Sequence, residues 1–186
     1  MILVLDFGGQ YNQLIARRIR ENNVYCEVHT LAEKNSVDTN IKSGLGTAIN
    51  FSAIKDLKPE GIILTGGPAS VYEKNSLLPP KELFELNVPV LGICYGAQAM
   101  IQVMGGEIKS AEIKEYGKTE LEIIADSEIF ADVEKKSVVW MSHGDRIYKM
   151  PDDFKITARS ENCPIAAAEN PGKKLFALQF HPEVLH

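Results

Sequence analysis

Cysteine is scarce in this sequence of 186 residues, with Cys26, Cys94 and Cys163 far apart in the chain. No two of them form a Cys-x-x-Cys pair, so the sequence indicates neither a disulfide framework nor a metal site built on such pairs. Isolated thiols persist in reducing compartments. We therefore expect a cytoplasmic protein that holds no structural metal.

The chain also lacks long apolar runs and an excess of basic charge. No apolar stretch approaches the ~20 residues of a membrane-spanning helix, and the N-terminus lacks the basic segment and the cleavage site of a secretory signal. Lys and Arg number 20 against 25 Asp and Glu, which gives a net charge of -5. Because this sign opposes binding to phosphate backbones, we expect no nucleic acid as a partner. Because the sequence has no spanning stretch, we expect no membrane either.

What the sequence does contain is a repeated pattern of short apolar runs, each followed by a turn signal. Hydrophobic residues make up 45% of the chain, enough for one substantial core, so we expect a single domain over residues 1–186. The pattern predicts an α/β domain with a mostly parallel sheet and helices on both faces. Strands are predicted at 2–5, 25–29, 61–64 and 88–93, and a helix at 13–20.

The second half of the chain has a different character. Strand-like runs at 121–124, 138–140 and 175–178 have little helix between them, which predicts a small antiparallel annex beside the parallel sheet. Residues 30–56 are polar and show no clear periodicity, so we expect a surface insertion there. The Gly-x-Gly at 44–46 within it is not interpreted as a nucleotide-binding turn, because no buried strand leads into it.

The segment around Cys94 has the composition of a nucleophile elbow. The apolar run 88–93 leads directly into the cysteine, and a helix is predicted from Tyr95 or Gly96 onward. Glycines stand two residues before and two after Cys94, where a Cβ would collide with neighbouring backbone in a sharp strand-to-helix turn. A helix N-terminus favours the thiolate form. The alternative is a buried structural cysteine, which the flanking glycines disfavour.

A base for this nucleophile is predicted near the C-terminus. The run 175–180 ends at His181, a proline cannot continue a central strand, and Glu183 follows after the rigid turn. Nucleophile, base and a carboxylate that orients the base are the three parts of a hydrolytic triad. His29, His143 and His186 are rival candidates for the base, but His181 alone combines a strand end, a rigid turn and a nearby carboxylate.

An oxyanion hole needs backbone N–H groups that face the nucleophile. Tyr95 supplies one, directly after Cys94. The Thr-Gly-Gly-Pro turn at 65–68, which follows the predicted strand 61–64, supplies a second candidate, because its glycines let backbone approach a ligand closely. The alternative for this segment is a plain tight turn.

These motifs together resemble the class I, or triad-type, glutamine amidotransferases. Residues 92–98, 66–68 and 180–183 carry the resemblance, which covers essentially the whole chain. Three further stretches, 5–11, 115–118 and 140–145, narrow the resemblance to those members of the family whose ammonia is used to convert XMP to GMP. The resemblance implies a flavodoxin-like three-layer fold.

The resemblance also implies the chemistry and its residues. Cys94 would attack the side-chain amide of glutamine, and His181, oriented by Glu183, would protonate the departing ammonia. The N–H groups of Gly67 and Tyr95 would hold the oxyanion. Four further residues would bind the α-amino and carboxylate groups of the substrate: Gln98, Ser142, Gly144 and Asp145.

Cofactors and the second half of the reaction are expected elsewhere. The resemblance implies no cofactor and no metal in this domain, and places ATP and Mg in a partner ATP-pyrophosphatase domain or subunit that converts XMP to GMP. Because the sequence has no phosphate-binding loop and stops directly after the triad, we expect a domain cut from a longer polypeptide rather than a separate subunit. The alternatives are a free-standing γ-glutamyl hydrolase or cysteine peptidase, the amidotransferase subunit of another synthetase, and a regulatory homologue with a degenerate site.

Overall fold

The computed structural model describes residues 1–32, 42–43 and 46–184, with side chains described outside 42–47. One mixed sheet organises this part of the chain. Its strands are β1 (Ile2–Asp6), β2 (Cys26–Leu31), β3 (Lys42–Ser43), β4 (Gly46–Ile49), β5 (Gly61–Leu64), β6 (Val90–Ile93), β7 (Glu107–Ile123), β8 (Lys136–Lys149), β9 (Lys155–Arg159), β10 (Ala167–Asn170) and β11 (Leu175–Leu178). The helices are α1 (Asn12–Glu21), α2 (Phe51–Leu57) and α3 (Tyr95–Val103), with short 3-10 turns at Lys81–Glu85, Glu128–Phe130 and Pro171–Lys173.

The parallel part of the sheet has the strand order β4-β2-β1-β5-β6-β11. From β2 to β11 this is the flavodoxin-like order 2-1-3-4-5 of doubly wound α/β domains. The predicted fold class is therefore confirmed. In such sheets ligands bind beyond the carboxyl ends of the strands, where the order reverses between β1 and β5.

The pairing of β11 differs from the prediction made from the sequence. The sequence places residues 175–178 among the strands of the antiparallel annex, but β11 pairs in parallel with β6, with Leu178 beside Ile93. An apolar run of four residues does not itself reveal the direction of its neighbour. The pairing matters because it brings the ends of β6 and β11 side by side.

The antiparallel annex consists of β10, β9 and the long hairpin of β7 and β8. Buried residues recur irregularly along β7, and the hairpin register shifts between Ser110 and Glu115. Several large apolar side chains of the hairpin are exposed, namely Ile113, Tyr116, Val138 and Tyr148. The hairpin is therefore only partly packed against the rest of the described chain.

The stretch 30–56 differs in part from the expected surface insertion. β4 extends the sheet by pairing in parallel with β2, and α2 buries Ile54 completely. Asn50 caps α2 by accepting a hydrogen bond from the N–H of Ala53 at 2.9 Å, a preferred residue at that position. Residues 33–41 and 44–45, including part of the Gly-x-Gly segment, lie outside the described residues.

Close backbone packing places α3 against the sheet. A Cβ built on Gly96 would lie 2.3 Å from the carbonyl oxygen of Leu64, and one on Gly92 would lie 2.7 Å from the backbone nitrogen of Ala97. Both glycines are thus required for the approach of helix and strand. None of the helices in the described ranges is long and apolar enough to cross a membrane.

Candidate active site

Cys94 occupies the turn between β6 and α3. Its φ of 52° and ψ of -107° lie in a region that residues other than glycine seldom adopt. The strained turn is held from both sides: the N–H of Cys94 donates to the carbonyl of Leu178 at 2.7 Å, and the N–H of Gly96 donates to the carbonyl of Thr65 at 3.0 Å. The side chain of Cys94 is nearly buried, with 6% exposed.

His181 and Glu183 follow the end of β11, next to Cys94. The ring Nδ1 of His181 lies 2.8 Å from Oε1 of Glu183, so the other nitrogen, Nε2, is left for the cysteine. The backbone N–H of His181 donates to the carbonyl of Trp140 at 2.9 Å, and the guanidinium of Arg18 donates to the carbonyl of Glu183 at 3.2 Å. The structure thus brings together the three residues predicted as a triad.

Two opposing effects act on the imidazole of His181. Burial lowers its pKa, but hydrogen bonds to Cys94 and Glu183, together with their negative charge, raise the pKa to about 9. The protonated ring is therefore favoured at neutral pH. An imidazole held by a carboxylate next to a cysteine is the arrangement of a Cys–His nucleophile pair.

The glycine turn after β5 lies beside the triad. A Cβ on Gly66 would lie 3.1 Å from Cε1 of His181 and 3.7 Å from Cβ of Cys94, and one on Gly67 would lie 2.7 Å from the carbonyl oxygen of Phe7. Within the described part of the chain, the N–H groups of Gly67 and Tyr95 donate to no protein acceptor. Two free donors next to the thiol are what an oxyanion hole requires.

A cavity of about 600 Å³ opens in front of Cys94, a volume typical of sites for small molecules. Gln98, Ser142, Gly144 and Asp145 all line it, as predicted for substrate binding. The carboxylate of Asp145 accepts hydrogen bonds from the hydroxyl of Ser70 and, at 2.9 Å, from that of Tyr72.

Gln98 lines the cavity but is almost completely buried, with 3% of the residue exposed. Its Nε2 donates to the backbone carbonyl of Asp145 at 2.9 Å and to Oε1 of Gln179 at 3.1 Å. Both amide protons are therefore used within the protein. Only the carbonyl oxygen of Gln98 is left to accept a bond from a substrate.

The rival histidines have other surroundings. Nδ1 of His143 lies 3.0 Å from the carbonyl of Asp145, and its Nε2 lies 3.3 Å from the carboxylate of Glu115. Burial lowers the pKa of His143, and Glu115 opposes that effect. His29 pairs with Glu27 at 2.9 Å on β2, and residue 186 lies outside the described residues. Of the two rivals that the structure describes, His143 lines the cavity and His29 does not.

Glu115, His143 and Cys163 form a buried cluster whose ligand atoms lie within 4.8 Å of one another. The spacing is close to that of a metal site, but the thiol of Cys163 lies 3.3 Å from the carbonyl of Ile165, to which it donates. Burial and the nearby Glu115 raise the pKa of Cys163 to about 12. A thiol that stays protonated is a poor nucleophile.

The sequence analysis does not predict a place in the site for four residues that lie there: Tyr11, Ser70, Tyr72 and Gln179. The ring of Tyr11 packs edge-on to that of His181 at 5.0 Å between centroids, and Ser70 and Tyr72 bind Asp145 from a turn more than 70 residues away in sequence. Only Gln179 had a local signal, because it stands two residues before His181 at the end of β11.

Comparison with known proteins identifies the class to which this site belongs. The family model described as "Glutamine amidotransferase class-I" matches residues 3–186. The chain therefore belongs to the class I glutamine amidotransferase family.

The relatives include particular members of this family. The chain is 51% identical over 185 residues to "GMP synthase [glutamine-hydrolyzing]" of Agathobacter rectalis and 52% identical to the protein of that name from Caldanaerobacter subterraneus. All of the chain is covered, but only 32% and 33% of the relatives. The chain thus spans about a third of the length of these curated relatives.

Solved structures agree with the fold. A Thermoplasma acidophilum protein proposed to be a GMP synthase subunit superposes with a TM-score of 0.75 at 28% identity, covering 100% of this chain and 85% of that one. A glutamine amidotransferase from Thermotoga maritima superposes with a TM-score of 0.71 at 21% identity, covering 98% and 76%. The second likeness supports the fold alone.

Proposed function

We propose that this chain hydrolyses glutamine to glutamate and ammonia, and that the ammonia serves the amination of XMP to GMP in an ATP-pyrophosphatase domain or subunit. The observation that supports it most is the contact of His181 with Glu183 at 2.8 Å beside a cysteine in a strained elbow. Family membership and relatives named as glutamine-hydrolysing GMP synthases point the same way. The three free thiols fit a cytoplasmic location.

The proposed reaction starts with attack of the Cys94 thiolate on the amide carbon of the substrate side chain. The carbonyl oxygen becomes an oxyanion, which the N–H groups of Gly67 and Tyr95 stabilise. His181 transfers its proton to the amide nitrogen, the carbon–nitrogen bond breaks and ammonia leaves. Water then attacks the γ-glutamyl thioester while His181 takes up its proton, which releases glutamate and restores the thiolate.

Substrate selection is assigned to the hairpin side of the cavity. The carboxylate of Asp145, already bound by two hydroxyl groups, supplies the negative charge that attracts the α-ammonium group of glutamine. The free carbonyl oxygen of Gln98 accepts a second hydrogen bond from the same group. Ser142 and Gly144 complete the pocket wall around the α-carboxylate.

The synthetase half is proposed to lie outside this chain. The relatives are about three times as long as the part matched, which leaves room for a domain that binds ATP, Mg and XMP. Such a pairing requires that ammonia leave unprotonated and travel to the second site. Hydrolysis in the absence of that site would waste glutamine, so we expect the isolated chain to be slow.

The test is steady-state ammonia release by this chain, alone and with its synthetase partner plus XMP and ATP. We expect slow hydrolysis alone and a rise of at least about tenfold with the loaded partner. One misplaced oxyanion donor costs about 10²- to 10³-fold in rate, and the Gly66–Gly67 turn can move cheaply. If the isolated chain is fully active and the partner does not change its rate of hydrolysis, the proposed coupling between the two domains is wrong. Activity on γ-glutamyl peptides but not on glutamine indicates a free-standing hydrolase instead.

A further inference from the structure

Gln179 lies against the sulfur of Cys94 and has no role in the mechanism above. It is completely buried, and its Nε2 lies 3.9 Å from Sγ of Cys94, at the long end of N–H contacts to sulfur. Its backbone N–H is satisfied separately by the carbonyl of Ala166 at 2.8 Å. The side-chain amide is therefore available for the thiol.

The orientation of this amide is determined by a neighbour that can only accept hydrogen bonds. The backbone carbonyl of Asp145 lies 2.9 Å from the amide of Gln98, so the group facing it must be the donor, Nε2. The second proton of that nitrogen points to Gln179 at 3.1 Å, which must therefore present its oxygen. As a result the nitrogen of Gln179, with its protons, faces Cys94.

Besides His181, which hydrogen-bonds Cys94, the sulfur has two polar neighbours with opposite preferences. The carbonyl of Ser142, 3.6 Å from Sγ, can accept a bond from the neutral thiol but repels a thiolate. The amide nitrogen of Gln179 can only donate, and a donated bond is strongest to an ionised acceptor. Ionisation of Cys94 thus exchanges one partner for the other.

We propose that Gln179 is a further catalytic residue, whose side-chain N–H donates to the Cys94 thiolate while Gln98 and the Asp145 carbonyl hold it in that orientation. Its benefit to turnover depends on the proposed glutamine hydrolysis, but the hydrogen bond to the thiolate does not. Gln98 accordingly has two functions, since its amide protons orient Gln179 and its oxygen faces the cavity.

Other charged and titratable groups surround Cys94, and the test must leave them unchanged. Those that line the cavity with Cys94 are Tyr11 before α1, Tyr72, Tyr95 on α3, Lys114 and Tyr116 on β7, His143 and Asp145 on β8, and His181 after β11. Glu115 and Glu183 lie behind them, in contact with His143 and His181. Replacing the amide of Gln179 alters none of these groups. A change in thiolate formation is then assigned to the amide itself.

The experiment measures alkylation of Cys94 by iodoacetamide as a function of pH, with the modified peptide quantified by mass spectrometry. Methionine removes the donor of Gln179 at similar volume. In Gln179→Met we expect the midpoint of the alkylation profile to move up by about one pH unit, which is about tenfold less thiolate below both midpoints. Gln102→Met, a change of the same kind on a half-buried residue of α3, should leave the midpoint within about 0.2 unit.

Gln179→Glu provides the second arm, since its carboxylate still accepts the bond from Gln98 but presents oxygen to the sulfur. We expect a larger upward shift than for methionine, with the circular dichroism of the parent chain. Unchanged midpoints in both folded variants overturn the proposal. Because alkylation does not depend on glutamine, shifted midpoints in a chain that fails to hydrolyse glutamine overturn the proposed function and leave this inference standing.

Discussion

The carboxyl edge of the parallel sheet and the β7–β8 hairpin meet at the same cavity, but they are built differently. At the sheet edge, Cys94 and the Gly66–Gly67 turn follow strands in which three of the four residues are buried, and backbone packs directly on backbone at Gly92 and Gly96. The hairpin joins the site through a backbone hydrogen bond from His181 to Trp140 and through side-chain hydrogen bonds such as those of Asp145, and it leaves Tyr116 exposed.

The difference separates two requirements of the reaction. Covalent chemistry needs the thiol and the imidazole fixed within a fraction of an ångström, and a close-packed sheet provides that rigidity. The glycine turn that carries one oxyanion donor can still move. Recognition of a substrate's charged groups tolerates more movement, and polar side chains on a hairpin supply it. Changes at the sheet edge should therefore reduce turnover or folding, and changes on the hairpin should mainly alter substrate affinity.

The largest expected effect is at the nucleophile. Cys94→Ala should lower ammonia production from glutamine by about 10⁴-fold or more, because the thiolate is the only covalent attacker, and circular dichroism should remain that of the parent. Cys26→Ala is the control and should stay within about twofold. A Cys94→Ala enzyme that keeps a tenth of the parent rate would show that another group attacks glutamine.

Substitution of the base should lower kcat more than substitution of the carboxylate that orients it. His181→Ala should lower kcat by about 10²- to 10³-fold, and Glu183→Gln by less, because orientation supports proton transfer without performing it. Equal and complete losses in two folded variants would contradict this ranking.

The same pair predicts a pH dependence of folding. The native pKa of His181 is raised from 6.5 to about 9, so its contribution to stability is full below pH 6.5 and is lost as the pH rises through about 9. Glu183→Gln removes one of the causes that raise this pKa. The decrease in unfolding free energy between those pH values, followed by urea denaturation, should be smaller in the variant. An identical decrease would show that Glu183 does not hold the proton on the ring.

Packing at the sheet edge predicts a loss of stability. Gly96→Ala places a Cβ 2.3 Å from the carbonyl oxygen of Leu64, and such overpacking costs about 3 kcal/mol. In Gly172→Ala the nearest atom is 3.5 Å away, so this control should change the unfolding free energy by less than about 0.5 kcal/mol. Similar values for both variants, from urea denaturation, would mean that the close approach of α3 to β5 is not required.

Substitutions on the hairpin should have smaller effects, and these should be on KM for glutamine rather than on kcat or folding. Asp145→Asn should raise KM for glutamine about tenfold, because the carboxylate that attracts the α-ammonium group becomes neutral. Tyr72→Phe, which removes one hydrogen bond to that carboxylate, should raise KM about two- to threefold. A fall in kcat with constant KM would place Asp145 with the sheet edge instead.

Much of the site could be predicted from the sequence because its signals are local. Glycines two residues either side of Cys94 are the requirement of a sharp turn, and His181 and Glu183 stand two residues apart, so their contact at 2.8 Å needs no knowledge of the fold. The alternation of apolar runs with glycine turns indicated the α/β class for the same reason. Each of these inferences depends on residues within about ten positions of one another.

The remaining features depend on contacts between residues distant in sequence. An apolar run such as β11 has the same pattern whether its neighbour is parallel or antiparallel, so only the assembled sheet places Leu178 beside Ile93 and thereby His181 beside Cys94. Likewise, the partners of Asp145 and the orientation of Gln179 arise where the hairpin packs against that sheet. The local sequence therefore determined which chemical groups the site contains. Long-range strand pairing determined which of those groups lie in contact.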